Sequence, residues 1–188
     1  MFRRKEDSDF VSSLIEIADS QIGFTEGENA DNPYGRWYGL NHNPYSAMFV
    51  SWCFAKAGRV DLVRMTSEKG FASCSFGYEE FKKKNQIVRP HRAKAGDIIF
   101  MRSHPLGRID HCGIVVNVLW EKFLGIPYPV GFQTIEACVT DEIAGSGAQV
   151  GVYDRSRMIG KNGCVVGVAR VIGIEKKNTA ESEETAVL

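Results

Sequence analysis

Residues 43–58 read NPYSAMFVSWCFAKAG, and this stretch determines how the rest of the chain is interpreted. Its middle is apolar on nearly every side of a helix, which is typical of a helix at the centre of a fold. Asn43 is a candidate N-cap, Pro44 suits the first helical position, and Gly58 can end the helix. The pattern predicts a central buried helix that carries Ser46 in its first turn.

The segments on either side of this helix predict the fold class. Apolar residues at helical spacing predict an amphipathic helix between residues 7 and 22, and residues 24–43 are interpreted as a long ordered loop. Weaker helical signals lie at 60–69 and 77–84. The second half of the chain contains β-rich runs separated by turn signals, at 97–101, 111–119, 131–138, 148–153 and 164–174. Helices followed by strands predict an α+β fold with a mostly antiparallel sheet of five or six strands.

Composition limits the classes of protein that this chain can belong to. The chain has 188 residues, of which 44% are hydrophobic, and 23 basic residues balance 23 acidic ones. A zero net charge disfavours nucleic acid and acidic membrane surfaces as partners. The first residues lack the apolar stretch of a secretory signal, so we expect synthesis in the cytoplasm. We expect one domain over residues 1–174 and a disordered acidic tail or linker start over residues 175–188.

Five cysteines occur, and none forms a Cys-x-x-Cys pair. The odd number and the spacing predict buried free thiols rather than a disulfide framework or a zinc ribbon. A metal site built from His111, Cys112 and Cys138 is disfavoured, because Cys112 points away from His111 on alternating strand faces.

Ser46 is the first candidate for chemistry. The first turn of a helix has unpaired N–H groups and a favourable dipole for negative charge, so a nucleophile there is activated and its own N–H can bind an oxyanion. The competing interpretation is a serine that merely caps the helix start.

His111 and Glu136 form the second candidate group. His111 opens an apolar strand, and Glu136 interrupts another apolar strand, where a carboxylate needs a partner. An antiparallel pairing of these strands, joined by roughly a dozen residues centred near Leu124 and Gly125, places the two side chains close together. The pair can orient a general base or can be a purely structural hydrogen bond.

Several segments together resemble a CHAP domain (cysteine, histidine-dependent amidohydrolase/peptidase) of the kind found in bacteriophage endolysins. They are NPYGRWYGLNHNPYSAMFVSWCFAKAG at 32–58, AGDIIFM at 95–101, DHCGIVV at 110–116 and TIEA at 134–137. Their order matches the family's loop, nucleophile helix, Gly-Asp strand, His-x-Gly-Ile-Val strand and Thr-Ile-Glu strand. The resemblance covers residues 10 to 174.

The resemblance implies a papain-like (NlpC/P60-type) fold and hydrolysis of an amide bond in the peptide part of peptidoglycan. It implies that residue 46 attacks the carbonyl, that His111 transfers the proton and that Glu136 holds His111. It also implies groove walls formed by Trp37, Tyr38 and Tyr45. Many family members carry an Asn just after the Glu, where this chain has Ala137-Cys138.

The family's nucleophilic cysteine falls on Ser46 in this chain. A serine hydroxyl is far less acidic than a thiol, so we expect the chain to hydrolyse its substrate slowly or not at all. Either the serine was introduced to silence a cysteine enzyme, the account we prefer because His111 and Glu136 are kept, or the chain is a degenerate module. The alternative functions are a non-catalytic wall-binding module and an acyl-transfer enzyme on the same scaffold.

The resemblance also implies cofactors, partners and location. The mechanism requires no metal. Calcium, which some CHAP domains bind in the loop before the nucleophile, is an alternative addition, although Glu26, Glu28, Asp31 and Asn32 do not have EF-hand spacing. We expect a monomer that acts on peptidoglycan, lacks a membrane segment, and once led into a C-terminal wall-binding domain. Release from an infected bacterium through a phage-made pore is the expected route to the wall.

Overall fold

The computed structural model describes residues 2–104, 106–140, 150–159 and 164–173, so the predicted acidic tail lies outside the described residues. Within these ranges four α-helices precede all six strands of an antiparallel sheet, which confirms the α+β prediction. The helices are α1 (Phe2–Asp19), α2 (Pro33–Tyr38), α3 (Ser46–Lys56) and α4 (Cys74–Lys83). In the described part of the chain, no helix is both long and apolar enough to span a membrane.

The sheet has the order β1-β6-β2-β3-β4-β5, and every neighbouring pair is antiparallel. The predicted connection between the two central strands is too long, because those strands continue to a two-residue turn at Leu124 and Gly125. Both turn residues have positive φ (50° and 80°), as a tight hairpin requires. The strands are β1 (Ile87–Val88), β2 (Ile98–Met101), β3 (His111–Phe123), β4 (Ile126–Thr140), β5 (Val150–Met158) and β6 (Val165–Ala169).

The central helix α3 is present and buried, but it begins at Ser46, two residues later than predicted. Tyr45 occupies the N-cap position and makes no side-chain cap. The predicted cap, Asn43, instead donates hydrogen bonds to the carbonyl oxygens of Leu40 (3.4 Å) and Asn41 (2.9 Å). Apolar packing therefore fixes this helix without a polar cap, and Ser46 is its first residue.

The prediction of a long ordered loop over residues 24–43 is wrong in part, because α2 lies within it. The side chain of Asn32 caps α2 by accepting a hydrogen bond from the Gly35 N–H at 2.7 Å. Pro33 takes the first helical position, and Gly39 ends the helix with φ of 99°. A helix of six residues is too short to show a helical period, although its capping residues are present in the sequence.

The region between α3 and β1 also differs from the weak helical signals. Residues 60–69 contain only a short 3₁₀ turn at Val60–Leu62, whereas α4 begins at Cys74, earlier than predicted. The Ser73 hydroxyl caps α4 by accepting a hydrogen bond from the Phe76 N–H at 3.4 Å. This cap places Cys74 at the first position of α4.

The Gly-Asp motif at the start of β2 has a structural role. Asp97 is buried, and its carboxylate accepts hydrogen bonds from Arg170 Nη2 and from the Lys94 N–H, both at 2.8 Å. Burial raises the pKa of Asp97 despite the neighbouring guanidinium. The motif thus ties the start of β2 to the end of β6.

Candidate functional site

His111 and Glu136 lie side by side on β3 and β4. His111 Nε2 and Glu136 Oε2 are 2.8 Å apart, which confirms the predicted contact between the two side chains. The strand register produces this contact, because Glu136 lies opposite Gly113, two residues after His111. Residues two apart on a strand share a face, so the imidazole and the carboxylate meet.

Gly113 provides the space that this contact needs. A Cβ atom at position 113 would lie 2.6 Å from Glu136 Cγ and 2.9 Å from the Ile135 carbonyl oxygen. Both distances are shorter than van der Waals contact. The glycine of the His-x-Gly pattern therefore lets the Glu136 side chain cross β3 to His111.

The Glu136 carboxylate is fully buried and accepts hydrogen bonds on both oxygens. Oε1 accepts from Arg157 Nε and from the Thr134 hydroxyl, both at 2.7 Å, while Arg157 Nη2 and His111 Nε2 contact Oε2. Burial alone raises the pKa of Glu136, but the hydrogen bonds and charges of Arg157 and His111 outweigh it and lower the pKa to about 2. The carboxylate is therefore ionised at neutral pH.

An ionised Glu136 sets the tautomer of His111. A carboxylate only accepts hydrogen bonds, so the proton of a neutral imidazole lies on Nε2, where it is donated to Glu136. The other ring nitrogen, Nδ1, then carries the free lone pair. With 15% of its side chain exposed, His111 can accept a proton at Nδ1 as a general base.

Ser46 lies at the start of α3 and is buried. The first intrahelical bond runs from the Phe49 N–H to the Tyr45 carbonyl at 2.7 Å, so the N–H groups of residues 46–48 have no partner within the helix. The Ser46 hydroxyl lies 3.4 Å from Cys74 Sγ and makes no hydrogen bond to His111. The structure thus brings His111 and Glu136 together and links Ser46 to a different residue.

Two thiols extend this link from Ser46 to β3. Cys74 Sγ lies 3.5 Å from the sulfur of Cys112, the residue after His111. Both cysteines are buried. The chain of contacts from Ser46 through Cys74 to Cys112 connects α3, α4 and β3 at one point.

Cys138 lies on β4, two residues after Glu136. It has φ of 62° and lies where a β-bulge interrupts the pairing of β4 with β5. Burial raises the pKa of its thiol, against an opposing effect of the Tyr45 and Ser46 backbone N–H groups. The Cys138 thiol is therefore protonated at neutral pH.

The three aromatic residues expected in the groove have different environments. Tyr45 is fully buried and stacks on Tyr34, with 5.6 Å between ring centroids, so the expectation that it forms a groove wall is corrected. Trp37 and Tyr38 are half-buried, and the Lys69 ammonium lies 5.8 Å from the centre of the Trp37 ring. A role for Trp37 and Tyr38 in substrate binding stays a prediction.

The acidic loop does not present a free set of metal ligands. The Asp31 carboxylate accepts hydrogen bonds from Arg36 and Asn41, both at 2.6 Å, and the Asn32 side chain caps α2. Across the described ranges, no three His, Cys, Asp or Glu side chains cluster in a way that could hold a metal ion. Asp31 and Asn32 are thus engaged with protein partners, and the expectation of a site without calcium stays a prediction.

Sequence reasoning missed Arg157, Cys74 and Cys138. Arg157, on β5, lies opposite Phe132 of β4, and its side chain extends along the sheet to Glu136. This contact depends on the register between β4 and β5. Cys138 follows Glu136 by two residues on the same strand. This spacing could have indicated that Cys138 lies near the Glu136 carboxylate. Nothing in the sequence indicated that Cys74 would meet Ser46.

The site lies within a segment that matches a known family. The model of the NlpC/P60 family matches residues 32–159, which is more than half of the chain. The matched segment includes Ser46, His111 and Glu136. Neither the curated proteins nor the solved structures contain a match to this chain.

Proposed function

The chain belongs to the NlpC/P60 family, and from this premise we propose that it is built to hydrolyse an amide bond in the peptide part of bacterial peptidoglycan. The family comprises papain-like cysteine peptidases and amidases of the cell wall, which confirms the predicted fold type. Within it, the motif order of this chain supports a CHAP-like, endolysin-type enzyme of bacteriophage origin.

The contact between His111 and Glu136 is the observation that carries this proposal. A buried, ionised carboxylate on Nε2 fixes the ring so that Nδ1 is the acceptor, and it stabilises the imidazolium that forms when Nδ1 takes a proton. Arg157 and Thr134 hold the carboxylate from the other side.

In the cysteine form of this enzyme, residue 46 attacks the substrate carbonyl and transfers its proton to His111. The unpaired N–H groups at the start of α3 stabilise the oxyanion, and His111 returns the proton to the leaving amine. The Ser46 hydroxyl is far less acidic than a cysteine thiol. We therefore propose that the chain with Ser46 hydrolyses peptidoglycan slowly or not at all. The mechanism uses no metal or other cofactor.

The proposal extends to the biological setting. Peptidoglycan is the partner, nucleic acid and membrane are not, and the protein acts as a monomer. The acidic tail is proposed to lead towards a wall-binding domain, with release from the infected cell through a pore. These points rest on the resemblance to endolysins and on the balanced charge of the chain.

A wall-binding module without catalysis is the second candidate. One observation favours it, because the Ser46 hydroxyl is hydrogen-bonded to Cys74 rather than to a base. In that case the groove is kept for recognition of peptidoglycan and the reaction has been lost.

Replacement of Ser46 by Cys tests the proposed function. We expect Ser46→Cys to increase the release of muropeptides by orders of magnitude, because it supplies a nucleophile of low pKa, and we expect His111→Ala to abolish this gain. Mass spectrometry of the released fragments identifies the bond and, with added amines, detects acyl transfer. Ser20→Cys, which adds a thiol on the exposed end of α1, is the matched control.

Two outcomes would contradict the proposal. An inert Ser46→Cys variant that still binds walls from many bacteria would establish the binding module. A serine form that already works at full rate would show that the argument about the nucleophile is wrong.

A further inference from the structure

We propose that Cys74 is the thiol nucleophile that this chain retains at the site, so that its residual acyl chemistry runs through Cys74 rather than Ser46. The inference deepens the proposed function and rests on it. Ser46 is the first residue of α3 and Cys74 is the first residue of α4, yet their side chains are in contact. Their positions in the sequence do not suggest this contact.

The two side chains occupy one place in the site. Cys74 Sγ lies 3.4 Å from the Ser46 hydroxyl and 3.5 Å from the Sγ atom of Cys112 on β3. The exposed fraction of Cys74 is 7%, close to the 4% of Ser46. A substrate carbonyl that reaches the hydroxyl of Ser46 is therefore also within reach of the thiol.

Hydrogen bonds from two directions hold Cys74 in position. Ser51 Oγ, on α3, donates to the Phe71 carbonyl at 2.7 Å and accepts from the Phe71 N–H at 2.9 Å, which fixes the segment before α4. The Ser75 hydroxyl donates to the Ile109 carbonyl at 2.5 Å, which ties the start of α4 to the residues before β3. The thiol is thus anchored to both the helix and the strand that carry the other site residues.

The surroundings of Cys74 favour its ionised form. Donors facing the sulfur on Cys112 and Ser46, together with the charge of His111, lower the pKa of Cys74 against the effect of burial. The start of the ten-residue helix α4 favours a thiolate in the same way. For Cys112 burial is the largest effect and raises the pKa of its thiol, which makes Cys112 the hydrogen-bond donor of the pair.

The proposed reaction balances without a further reactant other than water. The Cys74 thiolate forms a C–S bond with the amide carbon, the C–N bond breaks, and the amine leaves with the proton of the His111 imidazolium. Water then gives a proton to His111 and adds to the thioester. The C–S bond breaks, a carboxylic acid is released and the thiolate is restored.

Alkylation of the intact chain tests the activated thiol without any substrate. Under a phosphine reductant, we expect iodoacetamide to modify Cys74 before Cys164, with a pH midpoint below the ~8.5 of a free thiol. His111→Ala should slow the modification of Cys74 and leave Cys164 unaffected. A Cys74 that reacts no faster than Cys164, or at a rate independent of His111, would overturn the inference.

The rate of residual peptidoglycan hydrolysis tests whether Cys74 is the nucleophile. We expect Cys74→Ser and Cys74→Ala to abolish the slow release of muropeptides, Ser46→Ala to lower it only in part, and the control Cys164→Ser to leave it unchanged. Loss of release in Ser46→Ala with release retained in both Cys74 variants would overturn the inference. If alkylation depends on His111 but no variant, Ser46→Cys included, cleaves peptidoglycan, the activated thiol stands and the proposed function falls.

Discussion

The buried carboxylate of Glu136 connects the residues around His111, the proposed general base. Its two oxygens accept hydrogen bonds from His111, Arg157 and Thr134, and in return it fixes the tautomer of His111. The residue types of His111 and Glu136 and their contact could be predicted, because a carboxylate in an apolar strand needs a partner. Arg157 could not be predicted, because its approach depends on the register of a third strand.

The depressed pKa of Glu136 predicts a specific dependence of stability on pH. The pKa lies at about 2 in the folded protein against an ordinary 4.5, so the unfolded chain binds the proton more readily. The stabilisation is present above pH 4.5, amounts to about 3 kcal/mol, and is lost as the pH falls through 2. We expect the difference in unfolding free energy between the native chain and Glu136→Gln to shrink over this window in urea titrations.

Asp97→Asn is the matched control, because burial raises the pKa of Asp97 instead. The contribution of Asp97 is present at low pH and is lost as the pH rises through its folded pKa, which is the opposite sign. Equal pH dependence in the two variants, or a Glu136→Gln difference that stays constant down to pH 2, would refute the assigned charge state of Glu136.

At the scale of elements, the accuracy of sequence reasoning followed the length of each apolar pattern. The long helices α1 and α3 and five of the six strands were predicted, because many residues contribute to each pattern. The short α2 and the two-residue β1 were missed, since neither is long enough to show a period. The start of α3 was placed too early because Asn43 and Pro44 form a cap signal that local hydrogen bonds override.

The bulge in β4 gives an element-scale prediction. Cys138 has φ of 62°, a conformation that Asn tolerates and β-branched residues avoid. We expect Cys138→Asn to leave the unfolding free energy unchanged or slightly increased, and Cys138→Val to lower it by about 1–3 kcal/mol in urea titrations. Cys164→Val, at a half-buried thiol outside the positive-φ positions, is the control. An equal cost at both sites would show that the bulge does not constrain residue 138.

At the scale of the whole molecule, the site draws on five elements. Ser46 and Cys74 come from the starts of two helices, whereas His111, Glu136 and Arg157 come from three neighbouring strands. The strands β3 and β4 are consecutive in sequence and adjacent in the sheet, which is why the histidine–glutamate contact was predictable. The meeting of α4 with α3 depends on the path of residues 57–73, which has no regular pattern, and this is why the contact of Cys74 with Ser46 was not.

The segment in front of α3, residues 24–43, decides whether the chain depends on calcium. The Asp31 carboxylate already accepts hydrogen bonds from Asn41 and Arg36, the first of which contributes most to lowering the pKa of Asp31. Asn32 is committed to capping α2, so the loop folds on protein donors and acceptors alone. We therefore expect a chelator to leave the melting temperature of the whole chain unchanged, as measured by differential scanning fluorimetry.

A matched variant makes this last expectation sharper. Arg36→Gln frees one side of the Asp31 carboxylate, so any affinity of the loop for calcium should increase and appear as a calcium-dependent rise in melting temperature that the native chain lacks. A fall of several degrees in the native chain on adding chelator, reversed by calcium, corresponds to ~1–2 kcal/mol for a domain of this size. That result would show that calcium, rather than Arg36 and Asn41, organises the loop in front of α3.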